Sequence, residues 1–217
     1  KLLIDNTFAT PVITKPLHLG ADMVIHSVTK YLSGHSDVTA GAVVAAKTED
    51  IERSKQIMRV YGLNLSPFES WLAARGLKTL NVRMKQHCFN AMAVAEFLRN
   101  HPRVKQVWYP GLAQHPQHKL AKGQGSGMFG GMLSFRLEDD LDTVNTFMRS
   151  LKHIPFAPSL AGVSSSISHP LRTSHRSLNP EQQQKLGITL GVIRLSVGIE
   201  ETVDLLADLA QALDKIK

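Results

Sequence analysis

Short apolar runs without strict alternation open the chain. One covers residues 2–4, a second begins at 23 and continues to Ser27, and a third covers 41–46. Apolar runs of this length, with no polar residue at every second position, are typical of strands in a sheet that is covered on both faces. The pattern therefore predicts three strands of an α/β sheet, with Asp5 at the exit of the first.

The periodicity becomes helical after these strands. A helix is predicted over 49–60, and Ser66 followed by Pro67 predicts the N-cap and first position of a second helix. Its pattern continues to Asn100, with a bend expected at Gly76. The predicted apolar stripe of this long helix consists of Met84, Cys88, Ala91, Met92, Ala95 and Leu98.

The second half of the chain alternates strand-like and helical segments. Strands are predicted over 104–109, 133–137 and 192–197, and helices over 115–122, 140–151, 179–187 and 202–216. Apolar and polar residues alternate over 133–137, which predicts a strand with one solvated face. We expect a smaller α/β domain here, so that the chain divides into residues 1–76 and residues 77–217.

Composition and charge limit the classes of function. The chain has one cysteine, Cys88, so an internal disulfide is excluded and a reducing, cytoplasmic setting is expected. The net charge of +7 comes from lysines and arginines that are scattered along the chain, so a nucleic-acid surface is not indicated. No apolar run approaches the ~20 residues of a membrane span. The histidine pairs at 115/118 and 169/175 lack the ligand number of a metal site, and no metal is expected.

Side chains that can take part in chemistry lie at and just after the end of the second predicted strand: Ser27, Thr29 and Lys30. A lysine at the end of a buried strand can be partly desolvated, and desolvation of a lysine makes its amine nucleophilic. Two hydroxyls beside backbone N–H groups can hold a phosphate. A lysine and a phosphate site suggest pyridoxal 5'-phosphate (PLP), and Asp5 is the candidate partner of its pyridine nitrogen. The alternative is a surface lysine, two ordinary strand hydroxyls and a turn aspartate.

Three separated motifs occur in one order: DNTFATP at 5–11, SVTKYLSGHSD at 27–37 and RLSVGIE at 194–200. With them the sequence resembles, over nearly its whole length, the Cys/Met-metabolism (trans-sulfuration) PLP-dependent enzymes. That family includes cystathionine lyases, cystathionine γ-synthase and methionine γ-lyase. The resemblance implies a fold-type-I PLP enzyme. The chain would hold the rest of the large PLP-domain sheet and a small C-terminal α/β domain.

The resemblance also implies roles for individual residues. Lys30 would bind PLP as a Schiff base and carry the substrate's Cα proton, while Asp5, Ser27 and Thr29 would bind the cofactor. Arg194 would grip the substrate α-carboxylate, with Ser159 nearby. The alternatives are an outward-facing charge on an amphipathic strand for Arg194 and a loop serine for Ser159.

Substrate and reaction stay open at this point. The family usually has an acidic residue after the serine motif, where this chain has Ala161-Gly-Val-Ser164-Ser-Ser166. We expect a carbon–sulfur lyase acting on cystathionine or a related sulfur amino acid by β- or γ-elimination. A cystathionine γ-synthase or O-acylhomoserine sulfhydrylase is the first alternative. An inactive fragment or non-catalytic interaction module is the second. The resemblance implies a homo-oligomer, a homotetramer.

The first residues of the sequence also suggest that the chain is part of a longer protein. The sequence opens at Lys1, without an initiator methionine and inside a strand-like run. It also lacks the family's N-terminal portion, which supplies a tyrosine that stacks on the PLP ring and a phosphate loop. We therefore expect the C-terminal part of a longer enzyme, and do not expect these 217 residues to be active alone.

Overall fold

A computed structural model describes residues 1–216. Its first sheet has three strands in the order β1 (Leu3–Asp5), β2 (Met23–Ser27) and β3 (Gly41–Ala45). β1 is parallel to β2, and β3 runs antiparallel to β2. The three predicted strands are confirmed, and β1 and β2 deliver their carboxyl ends to the same edge of the sheet.

The prediction that this sheet is covered on both faces is wrong for the described residues. Leu3, Val43 and Val44 remain 54%, 47% and 44% exposed. Helix α1 (Thr10–Ile13) and a 3₁₀ turn at Pro16–Leu19 connect β1 to β2. The 3₁₀ turn lies against β2, and the helix at Thr48–Tyr61 lies against β3.

Three longer helices follow: α2 (Thr48–Tyr61), α3 (Pro67–Leu77) and α4 (Leu80–Asn100). The predicted cap of α3 is confirmed, because Ser66 Oγ accepts a hydrogen bond from Glu69 N over 3.2 Å. None of the residues of α2 is buried.

The bend expected at Gly76 is instead a break between α3 and α4. Thr79 has φ −106° and ψ 2°, outside the helical region, and its hydroxyl donates to Gly76 O over 3.2 Å. Gly76 lies within α3 and packs closely against Ser33. A Cβ at position 76 would collide with the carbonyl oxygen of Ser33. The glycine therefore serves a close backbone approach, which the periodicity did not distinguish from a bend.

The second sheet is antiparallel throughout and has the order β4-β5-β7-β6. Its strands are β4 (Gln106–Trp108), β5 (Met132–Arg136), β6 (Ser166–Ser168) and β7 (Val192–Ser196). The helices among and after them are α5 (His118–Gln124), α6 (Leu141–Ser150), α7 (Pro180–Lys185) and α8 (Thr202–Leu213). The predicted strands and helices are confirmed with shifted ends, whereas β6 was not predicted.

A continuous apolar core lies between this sheet and helices α4, α6 and α8. Phe135 of β5 meets Phe147 of α6 edge-to-face, with ring centroids 5.7 Å apart. On β5, Leu133 and Phe135 are buried and Ser134 and Arg136 are half-buried, which confirms the predicted alternation. Burial of such side chains is the main stabilising contribution to this half of the molecule. Among the described helices, none is long and apolar enough to cross a membrane.

Candidate cofactor and substrate site

Asp5 stands at the carboxyl end of β1, paired with Ile25 of the parallel strand β2. Its Oδ1 accepts a hydrogen bond from Thr7 N over 3.0 Å, and Thr7 Oγ1 accepts one from Ser27 N over 2.8 Å. The hydrogen bonds from Thr7 hold the pKa of Asp5 below its usual range. An exposed carboxylate that is ionised at neutral pH therefore lies beside the end of β2.

Lys30 lies on a wide helical turn, Val28–Leu32, directly after β2. Its backbone angles, φ −89° and ψ −138°, depart from those of a helix. The turn is closed by Ser33 N donating to Val28 O over 2.9 Å and by Gly34 N donating to Lys30 O over 2.8 Å. Within residues 1–216 the half-buried Lys30 amine makes no hydrogen bond or ion pair, so it is free to react.

The two predicted hydroxyls differ in their surroundings. Thr29 Oγ1 accepts from Ala40 N over 3.0 Å and donates to Ala40 O over 3.3 Å, which ties the lysine turn to the start of β3. Among the described residues, no partner bonds the hydroxyl of Ser27. Ser27 is therefore free to contact an anion, whereas Thr29 would have to give up its bond to Ala40 O in order to donate to one.

Arg194 lies in the middle of β7, paired with Ser134 of β5 on one side and Ser168 of β6 on the other. Its Nε donates to Ser168 Oγ over 3.1 Å, and burial lowers the pKa of the guanidinium. In the part of the chain that the structure describes, no carboxylate lies within ion-pair distance of it. A half-buried, uncompensated guanidinium with free Nη groups is suited to bind a carboxylate in a bidentate manner.

Ser159 is exposed and begins the loop that leads into β6. Its carbonyl accepts a hydrogen bond from Ser166 Oγ over 2.9 Å. Two residues on, Ala161 adopts φ +62° and donates from its backbone to Ser196 Oγ of β7 over 2.8 Å. The positive φ of a buried alanine is strained, and the contacts on both sides of the loop maintain it.

The same loop also reaches the lysine turn. Val163 N donates to Gly34 O over 2.8 Å, and Gly162 approaches Gly34 and Ser36. The structure thus gathers Asp5, Ser27 and Lys30 at one edge of the first sheet, and Ser159 and Arg194 near β6 and β7 of the second. The Val163–Gly34 hydrogen bond joins the two groups, whereas no hydrogen bond within residues 1–216 joins Lys30 to Arg194 directly.

Sequence reasoning missed three residues that hold this arrangement: Thr7, Ser196 and Arg83. Thr7 and Ser196 fall within the motifs at 5–11 and 194–200, but each bonds a segment that is distant in sequence, and no local pattern predicts those contacts. Arg83 does carry a signal, because it falls at helical spacing between the buried Leu80 and His87. A cation on the buried face of a helix needs specific partners.

Among residues 1–216, no cluster of three or more histidine, cysteine or acidic side chains could hold a metal ion. The site groups described above are instead one amine, one guanidinium, one carboxylate and several hydroxyls. This donor set suits a phosphorylated organic cofactor and an anionic substrate.

The fold superposes on those of solved PLP-dependent enzymes over nearly the whole chain, which defines an α/β protein of that class. The structure of cystathionine gamma synthase from Xanthomonas oryzae pv. oryzae in complex with cystathionine matches with a TM-score of 0.94 and 46% sequence identity, covering 98% of this chain and 55% of that one. The sequence profile described as Cys/Met metabolism PLP-dependent enzyme matches residues 1–214. The chain belongs to that family.

Curated relatives give the same result. Cystathionine beta-lyase of Coxiella burnetii is 49% identical over 210 residues, which are 96% of this chain and 54% of that protein. Cystathionine gamma-lyase of Bacillus subtilis is 50% identical over 215 residues, which are 99% of this chain and 56% of that protein. The chain spans about half the length of the curated relatives it matches.

Proposed function

We propose that this chain provides the catalytic lysine and the substrate-carboxylate site of a PLP-dependent carbon–sulfur lyase acting on cystathionine or a related sulfur amino acid. The observation that carries the proposal is the unengaged amine of Lys30 at the exit of β2, beside the ionised Asp5. Family membership supports the class of reaction. The related proteins named as beta- and gamma-lyases support the type of substrate.

The residues present fit PLP. Lys30 would hold it covalently, Asp5 would face its pyridine nitrogen, and the hydroxyls of Ser27 and Thr29 would face its phosphate. When bound, PLP supplies an electron sink that stabilises negative charge at the substrate Cα. The low pKa of Asp5 keeps its carboxylate negative, which favours a protonated pyridine nitrogen.

The other roles follow from the chemistry of each side chain. The planar fork of Arg194 would bind the substrate α-carboxylate, and Ser168 fixes its orientation by accepting from Nε. Once the substrate amine has displaced it, Lys30 Nζ would be free to take and return the Cα proton. Ser159 would lie near the bound carboxylate, on the loop that Ser166 and Ser196 hold in place.

We further propose that residues 1–76 belong to the large PLP-binding domain and residues 77–217 to a small C-terminal domain of a longer enzyme. The position of the main apolar core supports this division, because its buried members begin at Ala91, whereas residues 1–76 contribute only to two small clusters. By resemblance the whole enzyme would be a cytoplasmic homotetramer.

Product analysis of the full-length enzyme with cystathionine tests the proposal. Pyruvate, homocysteine and ammonia indicate β-elimination, whereas 2-oxobutyrate, cysteine and ammonia indicate γ-elimination. Absence of both product sets refutes the lyase. Formation of cystathionine from cysteine and an O-acylhomoserine would then establish the synthase alternative, which the likeness to the Xanthomonas structure favours.

A further inference from the structure

Arg83 is a buried cation in the first turn of α4, only 4% exposed. All its hydrogen bonds go to neutral acceptors: Nη1 to Tyr31 O over 2.7 Å, Nη2 to Leu32 O and Gly76 O over 3.3 and 2.8 Å, and Nε to Thr79 Oγ1 over 3.0 Å. Within residues 1–216 no carboxylate lies within ion-pair distance of it. A guanidinium is costly to bury without an anion, so its position requires an explanation.

The explanation lies in the carbonyls that it binds. Tyr31 and Leu32 follow Lys30 on the helical segment Val28–Leu32, which is only about one turn long. Gly76 lies at the end of α3. Among the described residues no backbone N–H bonds the carbonyls of Tyr31 and Leu32, because the helix does not continue past them, whereas Gly76 O also accepts from Thr79 N over 3.3 Å and from Thr79 Oγ1 over 3.2 Å. Because the guanidinium presents several donors in one plane, Arg83 can donate to all three carbonyls at once, which the ammonium of a lysine on its flexible stem could not do with the same geometry.

Two glycines make room for this arrangement. Gly34 has φ +74°, and a Cβ at that position would overlap the guanidinium of Arg83. Gly76 has no Cβ to collide with Ser33 O, so the lysine turn approaches α3 closely. The backbone around Arg83 is therefore shaped to admit the guanidinium.

We infer that Arg83 is a positioning residue that fixes the direction of Lys30 by holding the two backbone carbonyls that follow it. This inference rests on the proposed function of Lys30. Tyr31 extends the effect, because its ring is fully buried in a cluster with Met84 and Ala161. Arg83 thus also fixes the support beneath the loop of Ser159.

The test uses the full-length, PLP-loaded enzyme with Arg83→Met and Arg83→Lys, and with Arg75→Met at an exposed arginine of α3 as the matched control. The first readout is hydrogen exchange at the amides of Ser33 and Gly34, which close the lysine turn. We expect exchange at least about tenfold faster in Arg83→Met, an intermediate rate in Arg83→Lys, and unchanged protection of β5 and β7.

The second readout is the visible absorption of the lysine-bound cofactor as a function of pH. The pH midpoint of the absorption change should shift in Arg83→Met and remain unchanged in Arg75→Met, because only Arg83→Met changes the surroundings of the Lys30 amine. Wild-type exchange rates together with a wild-type midpoint in Arg83→Met would overturn the inference. If Arg83→Met does not fold, the same outcomes apply to Arg83→Lys.

Failure of the proposed function is distinguishable from failure of this inference. A wild-type enzyme that binds PLP but cleaves no cystathionine refutes the lyase and leaves both readouts in place. Fast exchange at Ser33 and Gly34 in Arg83→Met would then still show that Arg83 holds the lysine turn.

Discussion

The backbone N–H of Val163 donates a hydrogen bond to the carbonyl oxygen of Gly34 over 2.8 Å. Gly34 closes the turn that carries Lys30, and Val163 lies on the loop that runs from Ser159 to β6. This bond joins the lysine side of the candidate site to its substrate side. A substitution that displaces either segment is therefore expected to affect both cofactor and substrate binding.

Replacement of Lys30 by alanine should abolish the visible absorption of lysine-bound PLP in the full-length enzyme. It should also lower turnover by about 10³-fold or more, because the covalent anchor and proton carrier are both lost. Absorption spectra and steady-state rates measure the two effects. The exposed Lys15, replaced in the same way, should leave both unchanged. A retained absorption band in Lys30→Ala would show that another residue binds the cofactor.

Arg194→Lys should raise KM for the amino-acid substrate by roughly ten- to a hundredfold. Loss of a charged hydrogen bond costs about 1.5–3 kcal/mol, and 1.4 kcal/mol corresponds to a factor of ten. The change in kcat should be smaller, since the carboxylate is bound equally before and during the reaction. Arg136→Lys on β5 is the matched control and should leave KM unaltered. An unchanged KM in Arg194→Lys would remove Arg194 from the substrate site.

Gly76→Ala should destabilise the protein by about 1–3 kcal/mol, because the added methyl meets the backbone carbonyl of Ser33. Chemical unfolding of the full-length enzyme gives the change in free energy. Gly123→Ala is the control, since open space surrounds the position of its Cβ in α5. That control should be neutral or stabilise by up to about 1 kcal/mol. Equal stabilities of the two variants would contradict the close contact of α3 with the lysine turn.

Asp208 on α8 predicts a dependence of stability on pH. Its carboxylate accepts hydrogen bonds from the backbone N–H groups of Lys152, His153 and Ile154 over 2.8, 2.9 and 3.0 Å. Burial alone would raise the pKa of Asp208, but these hydrogen bonds bring it below its ordinary value of 3.8. The carboxylate therefore contributes its full stabilisation above pH 3.8 and loses it as the pH falls through the lower pKa of the folded state.

Asp208→Asn should reduce the free energy of unfolding at neutral pH by about 1–3 kcal/mol and weaken its decline in acid. Unfolding titrations at neutral pH and below pH 4 measure this difference. The exposed Asp214, replaced by asparagine, serves as the control. If the free energy of unfolding falls equally steeply in acid in Asp208→Asn and in the wild type, other carboxylates dominate the dependence of stability on pH.

Local patterns predicted many of the elements because local interactions form them. β2 begins and ends at the predicted residues, and Asn179 with Gln182 forms a capping box at the predicted start of α7. β6 (Ser166–Ser168) was missed because two of its three residues are serines and its strand character comes from pairing with β7. No local signal could predict that pairing.

The positions of the candidate site residues were predictable to a similar extent. The sequence placed Asp5 and Lys30 at two strand exits, and the structure shows both there. It could not show that Thr29 is bonded to Ala40, because that contact depends on how the chain returns from the lysine turn into β3. The partners of Arg83 were equally hidden, since they come from two segments that approach only in the folded chain.

The exposed apolar residues of the first sheet affect how the chain behaves in solution. Within residues 1–216, β1 and β3 each pair on one side only, and Leu3, Val43 and Val44 lie exposed on these strands. Unpaired strand edges beside exposed apolar side chains recruit further strands. Residues 1–217 produced alone should therefore self-associate as their concentration rises, and added polypeptide that pairs with β1 or β3 should suppress that association.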